Sequence, residues 1–238
     1  MKSGFTFENI EHQYAEAIKL GYQFVTCEQF VKLKPTLTSA DKIIVNRIDI
    51  DFAAKKTERL VNIFNKLNIK ATFFLRLHAP EYNPFSFEIY RIIRHLIASG
   101  HELGYHSEIV DQAAIWHEDA ELCLLRDLDV INRIFETNVV GVASHGGTTG
   151  LNNLDFWKDK KPSDFDLLYE GYDHQPEFNL FQEAFYVSDS EWTRWKCYDK
   201  GKLIEGNRKT FLEHAKDGHS LIYLLIHPDT YFDNHFYE

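Results

Sequence analysis

Five short apolar runs in this chain each end in Asp or His, and that recurrence constrains the fold more than any other feature. A run opening at Ile43-Ile44-Val45 ends at Asp49 and Asp51, and His101 to His106 forms a second. Val139 to Ala143 leads into Ser144-His145-Gly146, Ala184 to Val187 into Ser188-Asp189, and Leu221 to Ile226 into His227-Pro228. Unbroken apolar runs of strand length mark strands buried on both faces, as in a parallel sheet. Ala71 to Leu75 adds another. Between them lie helical patterns at residues 7–20, Ala53 to Leu67, Phe87 to Ala98, Glu118 to Phe135 and around 208–216; residues 145–183 read as irregular. Strand and helix alternate with short connections, which predicts an α/β fold with a mainly parallel sheet. In such folds the C-terminal strand ends converge on one face, where active sites form.

The 238 residues predict one domain over 1–238, with 1–40 as an N-terminal helical extension packed on it. Hydrophobic residues make up 44% and charged residues 26%, which excludes intrinsic disorder. Lys and Arg number 26 against 36 Asp and Glu, a net charge of −10 that argues against nucleic acid as the partner. Cys27, Cys123 and Cys197 form no CxxC, so neither a disulfide framework nor a structural zinc cluster is expected. Residues 1–8 hold no apolar h-region and no run nears the roughly 18 residues of a membrane span, so the expectation is a cytoplasmic chain without one.

Asp49 and Asp51 alternate, so a strand points both side chains the same way. Two such carboxylates side by side are costly without a cation. Asp51 could instead cap the following helix. His106 reads as a metal ligand or a core histidine, and His227 as a functional group or a strand terminator. His145, before two glycines, reads as a ligand or as a polar loop residue. Glu108 divides between supporting a ligand and facing solvent. His101, an odd number of positions from His106, reads as structural. His12, His78, His95, His117, His174, His214, His219 and His235 read as surface or packing residues.

At these residues the chain resembles the polysaccharide deacetylases, the NodB-homology or carbohydrate esterase family 4 group. Asp49-Ile50-Asp51 is similar to that family's first motif with one residue inserted, and Arg47-Ile48-Asp49-Ile50-Asp51 is closer to a branch associated with surface-glycan gene clusters. Lys70 to Leu75 resembles its second strand, and Gly100-His101-Glu102-Leu103-Gly104-Tyr105-His106-Ser107 its second motif. Ser188-Asp189-Ser190-Glu191-Trp192 and Leu224 to Pro228 resemble the last two motifs. The likeness runs from about residue 20 to the C-terminus.

The resemblance implies a distorted (β/α)7 barrel and metal-dependent removal of an N- or O-acetyl group from a sugar. It implies Asp49 as catalytic base, Asp51 and His106 as metal ligands, His227 as general acid and Asp189 as its holder. Trp192 would form an apolar wall, with Trp195 also a seat for the sugar; Glu108 and Ser144 are further substrate-facing residues. Two positions depart from the pattern: Val110 stands where the second motif carries another His, and Ser144-His145-Gly146 where the third motif supplies an Arg that orients the base. These departures suggest that His145 completes the metal site, with Glu108 as the fallback ligand. The expected cofactor is a divalent metal, zinc first. The expected substrate is an acetylated sugar or glycan precursor of surface polysaccharide synthesis, nucleotide-linked or lipid-linked. Another metal-dependent amidohydrolase or phosphodiesterase on the same barrel, and an inactive glycan-binding homologue, stay open.

Overall fold

The computed structural model describes residues 4–190 and 194–234. In chain order its elements are α1 (Phe7–Lys19), β1 (Gln23–Val25), α2 (Cys27–Leu33), β2 (Ile43–Ile50), α3 (Thr57–Leu67), β3 (Thr72–Leu75), α4 (Phe87–Ala98), β4 (Glu102–Ser107), α5 (Ile109–Trp116) and α6 (Ala120–Phe135). They continue with β5 (Gly141–Ser144), β6 (Tyr169–Glu170), α7 (Leu180–Glu183), β7 (Phe185–Ser188), β8 (Lys196–Asp199), β9 (Lys202–Leu203), α8 (Phe211–Lys216) and β10 (Leu221–Ile226).

Seven strands run parallel in the spatial order β6-β5-β4-β3-β2-β10-β7, the order of a seven-stranded barrel opened between β6 and β7. The Tyr172 and Tyr186 hydroxyls meet across that seam at 3.2 Å. The antiparallel strands β8 and β9 extend the sheet beyond β7. β1 pairs with the first half of β2, and β3 pairs with the second half on the same edge. The fold is the distorted (β/α)7 barrel expected from the sequence.

Alternation along each strand divides the core into two layers. From β2, Ile44, Ile48 and Ile50 join the layer beneath the helices, whereas Ile43 and Val45 join the barrel interior. The outer layer takes Ile10, Tyr14 and Ala17 of α1, Leu60 and Phe64 of α3, and Leu124, Leu128 and Ile131 of α6. Burying such side chains contributes about 1.5–3 kcal/mol each. Tyr14 also donates its hydroxyl to Asn46 Oδ1 at 2.7 Å, which ties α1 to β2. The interior takes Phe74, Ala143, Tyr169, Phe178, Tyr186, Tyr223 and Leu225.

Several local expectations are corrected. Residues 145–183 are not wholly irregular, for they contain β6 and α7. The expected helix from Ala53 starts as a 3-10 turn, Ala54–Lys56, before α3. The first 40 residues are not only helical, since they supply β1. The elements α2, α5, β8 and β9 were not anticipated. Trp195 does not reach the barrel mouth; it is buried against Phe5 and Phe211.

Candidate active site

The inward positions of β2 change character along the strand. After Ile43 and Val45 come Arg47, Asp49 and, just past the strand end, Asp51. Arg47 is fully enclosed. Its Nε donates to Asp49 Oδ1 at 2.8 Å and its Nη2 to Oδ2 at 2.7 Å. The guanidinium also lies 4.6 Å from the Tyr172 ring centroid and 5.2 Å from that of Phe74, while its Nη1 donates to the Tyr223 hydroxyl at 3.2 Å. Gly171 allows this approach, because a Cβ there would stand 2.7 Å from Arg47 Nη1. Burial alone would raise the Asp49 carboxyl, but the adjoining guanidinium prevails and holds it below the usual carboxylate range.

His106, on β4, faces both acids. Its Nε2 lies 3.2 Å from Asp49 Oδ2 and 3.2 Å from Asp51 Oδ1. Its Nδ1 is 2.8 Å from the Ala143 carbonyl oxygen, so Nδ1–H donates there and Nε2 is left facing the acids. Burial lowers the His106 imidazole, yet the carboxylates of Asp49 and Asp51 outweigh that and raise it. Asp51 responds in the opposite sense: burial pushes its carboxyl up, and the imidazoles of His106, His227 and His145 hold it well below its ordinary value.

Asp51 does not cap α3. The backbone N–H groups of Phe52 and Ala53 donate instead to Asp229, which follows β10. The Asp51 carbonyl oxygen accepts from Arg76 Nη1 at 2.9 Å. These contacts fix the turn that carries Asp51 into the mouth.

His145 leaves the end of β5 and meets the same centre. Its Nε2 is 4.0 Å from Asp51 Oδ2, and its ring stands edge-on to His106 with centroids 5.1 Å apart. The following loop is pinned by Asp111 of α5, which accepts from the backbone N–H groups of Thr148 and Thr149 and from the side chain of Asn153. Asn153 also donates to the His145 carbonyl oxygen at 3.1 Å. Burial pushes the Asp111 carboxyl up, but the Thr149 hydroxyl, which also donates to it, and then these donors bring it down to about 2.

Glu108 lies behind His145, with Oε1 at 3.5 Å from His145 Nδ1 and 2.7 Å from Arg76 Nη2. Burial raises the Glu108 carboxyl, but His145 and Arg76 bring it down to about 2. Ser144 is buried at the end of β5; its N–H donates to Glu170 Oε1 at 2.9 Å. On the opposite side, His227 Nδ1 is 2.5 Å from Asp189 Oδ1, and its N–H donates to Asp189 Oδ2 at 3.0 Å. Its Nε2 points back to Asp51 Oδ2 at 3.7 Å. Burial depresses the imidazole, whereas Asp189 and then Asp51 push it up to about 10.

Thus Asp49, Asp51, His106, His145, Glu108, Ser144, Asp189 and His227 gather at one end of the barrel. Trp192 lies outside the described residues. Ligand atoms of Asp51, His106 and His145 all lie within 4.8 Å of one another. Asp51 Oδ1 is buried with no hydrogen-bond partner among the described residues. One carboxylate and two imidazoles whose Nε2 atoms face it fit a divalent cation such as zinc. Sequence reasoning missed the roles of Arg47, Arg76, Asp111 and Asn153. The signal for Arg47 was present: it lies two positions before Asp49 on an apolar strand, so both share the inner face and each needs the other.

The fold, a distorted (β/α)7 barrel, is similar to that of a solved carbohydrate esterase 4 structure. Among solved structures, a carbohydrate esterase 4 enzyme from Streptococcus mutans matches 87% of this chain and 81% of its own, at 15% identity and TM-score 0.51. A mutant of a pseudoenzyme of that family, with restored enzymatic activity, matches 80% of this chain at 14% identity and TM-score 0.43. The chain spans 58% of that protein's length. The chitin deacetylase of Colletotrichum lindemuthianum matches 78% of this chain and 73% of its own, at 13% identity and TM-score 0.42. No family model and no curated protein matches the chain. No described helix is long and apolar enough to cross a membrane.

Proposed function

We propose that this protein is a metal-dependent hydrolase that removes an acetyl group from an acetylated sugar. One observation carries the reading: ligand atoms of Asp51, His106 and His145 lie within 4.8 Å of one another, between a buried carboxylate, Asp49, and a half-buried imidazole, His227, each held by its own partner. The likeness of the barrel to a carbohydrate esterase supports the substrate class.

Asp51, His106 and His145 would hold the cation, zinc by the chemistry of the donor set. When bound, it polarises a carbonyl and makes water a better nucleophile. The remaining work belongs to side chains. Arg47 keeps Asp49 ionised and fixes its plane. A carboxylate has about four lone-pair sites, and the Arg47 fork takes two, so Asp49 retains capacity to accept the proton of an attacking water. His227 faces the centre through Nε2 while Asp189 engages Nδ1. An imidazole held in its charged form can donate from Nε2 to the departing nitrogen or oxygen. Glu108 and Arg76 set the His145 ring from behind.

The direct test is acetate release. The purified protein, supplied with zinc, is incubated with N-acetylated and O-acetylated sugars and their nucleotide-linked forms, and free acetate is measured. Release that stops with a chelator and returns with metal is expected. No acetate from any of them, with metal bound, refutes the reading.

A further inference from the structure

β2 and β10 pair side by side, but their ladder closes at Ile48 and Ile226, before it reaches either Asp51 or His227. Beyond that point one buried carboxylate fastens the two strand ends together. Asp229 follows His227 by two residues, inside the 3-10 turn Pro228–Thr230, and is 7% exposed. Its oxygens divide between two backbone donors of the other strand end: Oδ2 accepts from the Phe52 N–H at 3.3 Å, and Oδ1 from the Ala53 N–H. Lys56 fastens the turns in the opposite direction. It ends the 3-10 turn Ala54–Lys56 and donates through Nζ to the carbonyl oxygens of Asp229, at 3.3 Å, and Tyr231, at 2.8 Å. Each turn therefore holds the main chain of the other.

The effect falls on one peptide unit. The Asp51 carbonyl and the Phe52 N–H belong to the same planar group. Arg76 Nη1 holds the carbonyl oxygen at 2.9 Å, and Asp229 holds the N–H. With both polar ends engaged, the plane cannot turn freely, which limits ψ of Asp51 and so the direction of its carboxylate. On the other side only Pro228, whose ring fixes φ, separates Asp229 from His227. Asp189 takes the His227 N–H at 3.0 Å and faces Nδ1 of the ring. Between these two restrained ends, Asp51 Oδ2 and His227 Nε2 lie 3.7 Å apart.

We propose that Asp229 is a positioning residue that fixes the separation of Asp51 and His227, so that a bound cation and the proton donor reach one acetyl group together. The roles of Asp51 and His227 rest on the deacetylase reading, but the link between them is measurable without turnover.

The test uses Asp229→Asn, which keeps the shape but leaves one oxygen to accept and turns an NH2 group toward the second N–H. Zinc affinity is measured by chelator competition, and the His227 Cε1–H resonance is followed in the metal-free protein, assigned by its absence in His227→Ala. Zinc is expected to bind about 10–100-fold more weakly, as when a ligand loses its orienting partner, and the His227 resonance to move. On the zinc-loaded protein, kcat for acetate release should fall about 10²-fold with KM little changed. Urea unfolding establishes that the variant is folded in the assay. Should it not be, Lys56→Met loosens the same link with Asp229 intact, and is expected to move the His227 resonance. Parental zinc affinity or an unmoved resonance in folded Asp229→Asn, or an unmoved resonance in Lys56→Met where it stands in, overturns the proposal, since a carboxylate that only closed its turn would alter stability alone. Both quantities changed, in a protein whose parent releases no acetate from any sugar, leave the link standing and refute the deacetylase reading. Acetate release by the parent with both unchanged in Asp229→Asn does the reverse.

Discussion

Arg47 grips Asp49 with two parallel hydrogen bonds, of 2.8 and 2.7 Å, inside a barrel where both side chains are buried. The resemblance pattern supplies an Arg for the base from a different strand end, where this chain has Ser144 and His145. Here the guanidinium comes from the same strand as the acid, two residues upstream. The end of β5 carries His145 instead, with Nε2 at 4.0 Å from Asp51 Oδ2.

The pair predicts a coupling in stability. Removing one partner leaves an uncompensated buried charge, so Arg47→Met should cost about 3–5 kcal/mol. Arg47→Met combined with Asp49→Leu should recover most of that loss, because a matched apolar pair carries no such penalty. Urea unfolding of the two single variants and the double variant measures the coupling. Additive losses would show that the fork contributes nothing as a pair.

The ligand assignment predicts an order of metal retention. Asp51→Asn, His106→Ala and His145→Ala should each lose the zinc that survives dialysis of the parent protein. Glu108→Gln should keep it while binding about 10–100-fold more weakly, as for a residue that orients a ligand without being one. Elemental analysis and chelator competition give both quantities. Retention in His145→Ala with loss in Glu108→Gln would exchange the two roles.

Far from the mouth, His101 predicts an acid-sensitive core. Its ring packs between Phe64 and Phe73, and Nδ1 accepts from the Ala71 N–H at 3.3 Å. Burial, then Lys70, lowers its imidazole to about 4. The folded value lies below the unfolded value of about 6.5, so this contribution is complete above pH 6.5 and is lost as pH falls from 6.5 through 4. The shift corresponds to about 3 kcal/mol. His101→Gln should flatten the fall of unfolding free energy across that interval, measured by denaturant titration at each pH. An unchanged slope would remove His101 as its source.

The strand ends were legible because β2 and β10 are buried on both faces and read as apolar runs. Their terminal Asp and His residues therefore stood out. β6 was not legible: Tyr169–Glu170 is two residues long and lies between 3-10 turns and loops, with no run to detect. α5 was hidden because its inward positions include Asp111 and Gln112, polar residues buried for their hydrogen bonds to a loop and to Asp127, which breaks the apolar period. Arg47 stands in the sequence motif, but its pairing with Asp49 follows from the two sharing the inner face of β2. His78 reads as a surface or packing residue; its contact with Asp127 depends on α6 lying against β4, where Tyr105 also reaches Asp127, which no local pattern encodes.

In the proposed reaction His227, held by Asp189, serves as the acid opposite Asp49. The most direct measurement is kcat for acetate release by His227→Ala, set beside its metal content by elemental analysis. A loss of roughly 10²-fold or more in kcat is expected with zinc at the parent level, because a general acid contributes about 10²–10⁴-fold and His227 lies outside the proposed ligand set. Near-parental kcat with zinc fully bound would contradict it.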